Sequence, residues 1–300
     1  MRTCTPCASK KTKKCVKSSA KRRCFCVRVK NMNVLYQAVD HCNLNCIGCD
    51  HGAPLAEPWC VDISQFETDL RDLVNLVGVD ELVIYGGEPL LHPHLPQLLV
   101  TAANICGNID IFVRTNGIKL EQIMRQKAFK MALKVTNTRI QVTEYPCTVG
   151  IIDHINAQYP NLAEPASRVP GEQCDNILKQ KMYRVQLHVP GPKWRSELDA
   201  YKHCYCLHHE RVSAPRVRNG IAYPCPPALG AVIAFNRFLP NLPDVGIKIH
   251  TATAEQLHSL CTKPCALCAW CGDVVHGIPW AKSQQRKEEW VAKDENCFFD

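Results

Sequence analysis

No apolar run in this 300-residue chain approaches the ~20 residues that a membrane-spanning helix needs. The N-terminus also lacks the apolar stretch of a secretory signal, so a cytoplasmic protein with no membrane partner is expected. Acid is missing from residues 1–31, which hold eleven Lys or Arg and not one Asp or Glu. Taking those eleven from the 36 basic residues leaves 25 against 28 acids, so the net charge of +8 belongs to the tail and the remainder carries −3. That remainder gives no electrostatic case for nucleic acid, which is not an expected partner. The tail has almost no apolar periodicity, and residues 1–31 are predicted to be a disordered basic extension before Met32.

Cysteine, in contrast, is abundant. Twenty cysteines would suggest a disulfide framework in a small secreted chain, but here they fall in tight clusters within a long chain of βα character. Metal clusters in a reducing compartment fit that usage better. Cys60, Cys106, Cys147, Cys174 and Cys297 stand alone and read as small core or surface residues.

From Met32 the pattern becomes regular. Val34–Val39, a short apolar run, and the stretches Glu81–Tyr85, Ile109–Thr115 and Arg139–Thr143 are predicted strands. Helical spacing separates them: Phe66, Leu70, Leu73, Val74 and Val77, with Ser64 and Glu67 as a capping-box signature. A second helix follows Pro93 through Leu95, Leu98, Leu99 and Ala102, a third spans Leu120 to Ala128, and a fourth lies near Ile151–Ala157. Residues 160–180 show no pattern, and Tyr183, Val185, Leu187 and Val189 alternate as a later strand. Alternating strands and helices imply an α/β fold with a parallel sheet, whose sites gather where strands end.

Two motifs lie at such ends. Cys42, Cys46 and Cys49, at C-x3-C-x2-C spacing, directly follow the first strand. Three thiolates cannot complete a tetrahedral or cubane site alone, so either a distant fourth residue joins them or one metal position stays open. Tyr85-Gly86-Gly87-Glu88-Pro89 ends the second strand. Asn116 and Thr143 end the next two and could face a ligand, or serve as turn or capping residues. A third group lies late in the chain: Cys204 and Cys206, then Gly220-x4-Cys225, then Cys261, Cys265, Cys268 and Cys271. His51, His92, His94, His208 and His209 flank these motifs and read first as structural or solvated.

The cysteine triad followed by Gly-Gly-Glu-Pro resembles the radical S-adenosylmethionine (SAM) superfamily. That resemblance implies a partial (β/α)6 barrel with a small cysteine-rich C-terminal cluster extension. It also implies a [4Fe–4S] cluster on Cys42, Cys46 and Cys49, with SAM chelating the fourth iron. Gly86, Gly87 and Glu88 would receive the SAM amino group, with Asn116 and Thr143 as further cofactor contacts. Family members often carry an aromatic residue just before the third cysteine, where this chain has Gly48. The late cysteines resemble SPASM and twitch extensions, which implies one auxiliary [4Fe–4S] cluster on Cys206, Cys225, Cys268 and Cys271. Cys204, Cys261 and Cys265 would be the substitute ligands. Gly277-Ile278-Pro279-Trp280-Ala281-Lys282-Ser283 and Glu288-Glu289-Trp290 strengthen the likeness to radical SAM proteins with one C-terminal cluster domain.

The expected organisation is therefore a tail at 1–31, a radical SAM core at 32–190 and an auxiliary-cluster domain at 191–300. The expected activity is reductive cleavage of SAM to a 5′-deoxyadenosyl radical that abstracts hydrogen from a peptide or sugar-type substrate. An electron donor such as flavodoxin or ferredoxin would be the partner. The alternative is a non-catalytic zinc-binding structural or interaction protein, because paired cysteine hooks are equally good zinc ligands.

Overall fold

The structure is a computed structural model that describes residues 31–166, 181–187, 196–204 and 214–291, with short backbone segments at 15–16 and 25–26. In those segments β1 (Cys15–Val16) and β2 (Phe25–Cys26) pair antiparallel. The rest of the predicted basic tail lies outside the described residues. Among the described residues no helix is long and apolar enough to cross a membrane.

The centre is a mixed eight-stranded sheet, parallel over most of its width and not closed. Its strands are β3 (Met32–Val39), β4 (Val79–Gly86), β5 (Asp110–Thr115), β6 (Thr138–Val142), β7 (Ala163–Pro165), β9 (Arg216–Arg218), β10 (Ile221–Tyr223) and β11 (Ile247–Lys248). Their spatial order is β11-β10-β9-β3-β4-β5-β6-β7. β3 to β7 add one after another in parallel, separated by α1 (Ile63–Leu76), α2 (Leu95–Cys106), α3 (Leu120–Met124), α4 (Lys127–Val135) and α5 (Ile151–Gln158). The sixth parallel strand, β9, comes from the C-terminal part of the chain and pairs on the other side of β3. The antiparallel β10 and β11 extend that edge.

Alternation along the strands explains the layering. Val34, Tyr36 and Ala38, with Leu82, Ile84, Ile111 and Val113, turn one way into a core with Phe66, Leu70, Leu98 and Phe129 of the helices. Leu35, Val83, Tyr85 and Phe112 turn the other way and pack with Tyr223, Leu229, Phe235, Leu239 and Trp290. The second face of the sheet is thus covered by the chain's own C-terminal residues. Phe66 sits at the centre of the first core, fully buried and edge-on to Tyr36 with ring centroids 4.7 Å apart. Phe66→Ala removes that ring from a packed site and is expected to cost about 3–5 kcal/mol, read as a lower urea midpoint with an unchanged slope.

A buried carboxylate joins the two halves. Asp69 on α1 accepts from Tyr36 Oη at 2.6 Å, Gln65 Nε2 at 2.7 Å and the Gly220 amide at 2.9 Å. The β9–β10 turn is thereby fastened to the first helix.

Several local expectations are revised. Asp62, not Ser64, precedes α1, and no side-chain cap bond forms; Ser64 and Glu67 are both inside the helix. α2 begins at Leu95 with Pro96 in its first turn, so Pro93 stays outside it. β8 (Lys181–Leu187) leaves the main sheet and pairs antiparallel with β12 (Cys271–Pro279). β7, three residues long, carries too little periodicity to be seen in the sequence.

Candidate active site: the thiol loop at the ends of β3, β4 and β5

The residues after β3 form the site. Asp40 heads the loop and is buried; its carboxylate accepts from Gln37 Nε2 at 2.8 Å and from Arg218 Nη2 at 2.6 Å. Arg218, on β9, also stacks over the Trp59 ring at 4.1 Å. The start of the loop is therefore held by a strand from the far end of the chain. Truncating either partner of such a pair would leave a buried charge uncompensated.

The glycines of the second motif work against this loop. A Cβ on Gly87 would lie 2.1 Å from the His41 carbonyl oxygen, and one on Gly86 would lie 2.1 Å from that of Val39. The Gly87 amide donates to Val39 O at 2.7 Å and the Glu88 amide to His41 O at 3.0 Å. The space a side chain would need is filled by the first residues of the thiol loop. Close approach of backbone is the reason for glycine here, and the partner in hand is the loop itself.

Glu88 is fully buried and ties two strand ends together. Its Oε1 accepts from Thr115 Oγ1 at 2.6 Å and the Leu90 amide at 3.0 Å, and its Oε2 accepts from the Asn116 amide at 2.8 Å. Burial pushes its pKa up to about 7 against the pull of those three donors. Asn116 is buried and turns its side-chain amide to the loop, 2.9 Å from Asn43 Oδ1 and 3.6 Å from Cys42 Sγ. Thr143 follows β6 and donates its amide to Thr115 O at 2.8 Å.

Cys42, Cys46 and Cys49 gather with Leu44, Tyr145 and Trp280 in a small cluster separate from the two cores. Their sulfurs receive hydrogen bonds. The Leu44 amide donates to Cys42 Sγ at 3.4 Å, and the Trp280 indole N–H to Cys46 Sγ at 3.2 Å. Burial, with the nearby Cys46, Cys49 and Cys42 thiols adding to it, pushes the Tyr145 hydroxyl well up. Burial pushes the Cys42 thiol up to about 12, with Glu88, Cys49 and Cys46 adding to it. Burial of the Cys42 thiol beside the others is unfavourable to its ionisation until a cation offsets the charge. Donors aimed at sulfur, three thiols on one loop and crowding of potential thiolates together fit a thiolate-held iron–sulfur cluster.

Cys49, Asp50 and His51 also offer ligand atoms within 4.8 Å of one another. These are sequence neighbours, and His51 Nδ1 is already paired with Asp50 at 2.9 Å. His92 has both ring nitrogens engaged, with Val61 O at 2.9 Å and the His94 amide at 3.0 Å, and serves the fold.

The C-terminal residues close over the loop, which the sequence gives no sign of. Cys46 and Lys282 form a β-bridge, the Ile47 amide donates to Ala281 O at 2.9 Å, and the Ser283 amide donates to Asn45 O at 2.7 Å. Gln285 Nε2 donates to Pro54 O at 2.7 Å, and Trp290 Nε1 to Cys49 O at 2.8 Å.

The late cysteines form a second group. Cys225 precedes α7 (Pro226–Ile233), Cys204 follows α6 (Glu197–Lys202), and Cys265, Cys268 and Cys271 bracket a 3-10 turn at Ala266–Trp270. Cys265 Sγ lies 3.7 Å from Cys268 Sγ. Burial pushes the Cys225 and Cys271 thiols well up, with Cys271 and Cys204 adding to the first and Cys268 and Cys204 to the second. The hydrogen bond with Cys265, then burial, raises Cys268, and Cys204 adds to it. The thiols of Cys204, Cys225, Cys265, Cys268 and Cys271 are thus linked electrostatically, with Cys265 and Cys268 in direct contact. Cys261 is buried, with its thiol pushed up to about 11 by burial and pulled back by Arg216. Cys206, an expected ligand, lies outside the described residues, as do His208 and His209. Of the residues the sequence holds as substitutes, Cys265 touches Cys268 through sulfur, and Cys204 adds to the upward push on Cys225, Cys268 and Cys271.

One stretch of the chain, residues 36–142, matches the family model of the Radical SAM superfamily. It contains the whole thiol loop and the Gly-Gly-Glu-Pro motif; the late cysteines lie beyond it. Among curated proteins, the chain is similar to GTP 3',8-cyclase of Pelotomaculum thermopropionicum, 35% identical over 96 residues. That alignment covers 31% of this chain and 29% of the relative. GTP 3',8-cyclase 1 of Mycobacterium tuberculosis is 32% identical over 89 residues, covering 27% of this chain and 24% of that one. Molybdenum cofactor biosynthesis protein 1 of Bos taurus is 30% identical over 89 residues, covering 29% and 14%. The chain thus spans less than a third of the length of these relatives. Among solved structures, Streptococcus suis SuiB aligns at 20% identity and a TM-score of 0.30 over 38% of this chain and 24% of that one, too weak a likeness to bear on substrate.

Proposed function

We propose that this chain is a radical SAM enzyme, with a [4Fe–4S] cluster on Cys42, Cys46 and Cys49 and SAM on its open iron. The observation that carries this reading is the thiol loop itself: three cysteines, two of them (Cys42 and Cys46) accepting N–H hydrogen bonds at sulfur, held against Gly86-Gly87-Glu88. When bound, the cluster and SAM would supply a 5′-deoxyadenosyl radical, made by one-electron reductive cleavage of the sulfonium and able to take hydrogen from an unactivated carbon. The chain's own residues hold and shape the place where that happens. Gly86 and Gly87 keep the β4 end against the loop, and their backbone would receive the SAM amino group. Glu88 fixes the ends of β4 and β5, and Asn116 faces Cys42 from β5. Thr143 stands at the end of β6, on the same rim.

The second thiol group would hold one auxiliary [4Fe–4S] cluster, with Cys225, Cys268 and Cys271 as ligands and the fourth from Cys206 or Cys204. It would take an electron back from a product radical or bind substrate. A flavodoxin or ferredoxin would supply electrons, and a peptide or sugar-type compound would be the substrate. The test is anaerobic reconstitution followed by reduction with SAM present. A brown protein that forms 5′-deoxyadenosine supports the reading. A colourless protein that binds zinc at both groups and cleaves no SAM supports a structural metal module instead.

A further inference from the structure

Two aromatic residues of this chain pack beside one thiol in the candidate site. Cys46 is buried, and its Sγ receives the Trp280 indole N–H at 3.2 Å. Tyr145 packs in the same small cluster with its hydroxyl end toward the thiols, and the two rings lie 6.3 Å apart at 57°. They arrive from unrelated places. Tyr145 follows β6 in the matched domain, while Trp280 follows β12 and belongs to the segment that closes over the loop. That segment is fixed independently of the indole by the Cys46–Lys282 bridge, Ala281 O on the Ile47 amide, and Asn45 O on the Ser283 amide. The indole is therefore aimed at the sulfur by backbone that would stay in position without it.

A hydrogen bond to a cluster thiolate stabilises the more negative, reduced state more than the oxidised one, and so raises the reduction potential. Cysteines 42 and 46 differ here. Cys42 receives the Leu44 amide at 3.4 Å and the longer Asn116 contact at 3.6 Å, while Cys46 receives the indole N–H at 3.2 Å.

We propose that Trp280 and Tyr145 form a two-donor brace on Cys46 that sets the reduction potential of the core cluster. Through Trp280 the C-terminal segment reaches that cluster. The inference rests on the proposed core cluster. The brace makes the cluster easier to reduce by the electron donor, and it ties electron entry to correct closure of the C-terminal segment over the loop.

The test uses the full chain, reconstituted anaerobically, with W280F and Y145F, which remove one donor each and leave an aromatic ring in place, and the double variant. Iron content and the midpoint potential of the SAM-responsive cluster are measured by redox titration followed by electron paramagnetic resonance. Each single variant is expected to keep its iron and to show a lower potential. The one-electron equilibrium should move by up to about tenfold, or ~59 mV, and the double variant should move it further than either. Unchanged potentials on clusters of normal iron content overturn the brace and leave the radical SAM reading intact. Loss of the SAM-responsive cluster in W280F overturns a tuning role for Trp280, and Y145F then decides the matter for its hydroxyl alone. A parent protein with no SAM-responsive cluster overturns both readings together.

Discussion

Alanine at Cys42, Cys46 and Cys49 together is expected to bring 5′-deoxyadenosine formation down to the enzyme-free background. The three thiols lie in a cluster of their own, apart from the two large cores, so replacing them removes little of the burial that holds the fold. Sheet, helices and the second thiol group should survive, and the thermal transition should move little. Each cysteine supplies one iron ligand, and a cubane site left with no protein thiolate cannot form. Product measured by chromatography, with iron analysis beside it, separates the outcomes. SAM cleavage at the parent rate by the triple variant would remove the assignment of this loop.

Gly87→Ala is expected to disable the same site from the opposite side. The new Cβ would fall 2.1 Å from the His41 carbonyl oxygen, and backbone cannot swing aside as a side-chain tip can. Relief requires the loop to retreat from β4, at the expense of the Gly87–Val39 and Glu88–His41 hydrogen bonds. Each is worth on the order of 1 kcal/mol, so core-cluster occupancy and SAM cleavage should fall by at least about tenfold. Metal at the late cysteines should be retained, because they sit on other elements. Full core-cluster occupancy in Gly87→Ala would mean that the loop tolerates displacement and that the glycine is not required for its placement.

Much of this was legible in the sequence, for physical reasons that also explain the rest. β3, β4 and β5 are buried on both faces over most of their length and read as largely apolar runs, while β6 alternates buried Ile140 and Val142 with half-exposed Arg139 and Gln141, so period and composition agree. The thiol loop and Gly86-Gly87-Glu88 are local patterns that strand ends bring together. What the glycines face is not local: the pattern suggests room for a ligand, and the structure fills it with the backbone of Val39 to His41. Non-local pairing hid the remaining features. β9 is three residues long, and nothing in Arg216–Arg218 indicates that it returns to β3. Asp40 and Arg218 are 178 residues apart in sequence, and Cys46 and Trp280 are 234 apart. The Gly277–Ser283 motif is visible as a pattern, but its position over the loop depends on the tertiary fold. The Ser64–Glu67 signature failed because Asp62 begins the helix two residues earlier, which buries Phe66 in the core.

Iron content in the presence and absence of the loop cysteines tests the central claim most directly. The parent, reconstituted anaerobically, is expected to hold on the order of eight irons per chain, four at each thiol group, and to change its resonance spectrum when SAM is added. The C42A/C46A/C49A variant should keep about half of that iron, with a spectrum that SAM leaves unchanged. Equal iron in parent and variant, or zinc in place of iron at the loop, would contradict a SAM-binding cluster on Cys42, Cys46 and Cys49.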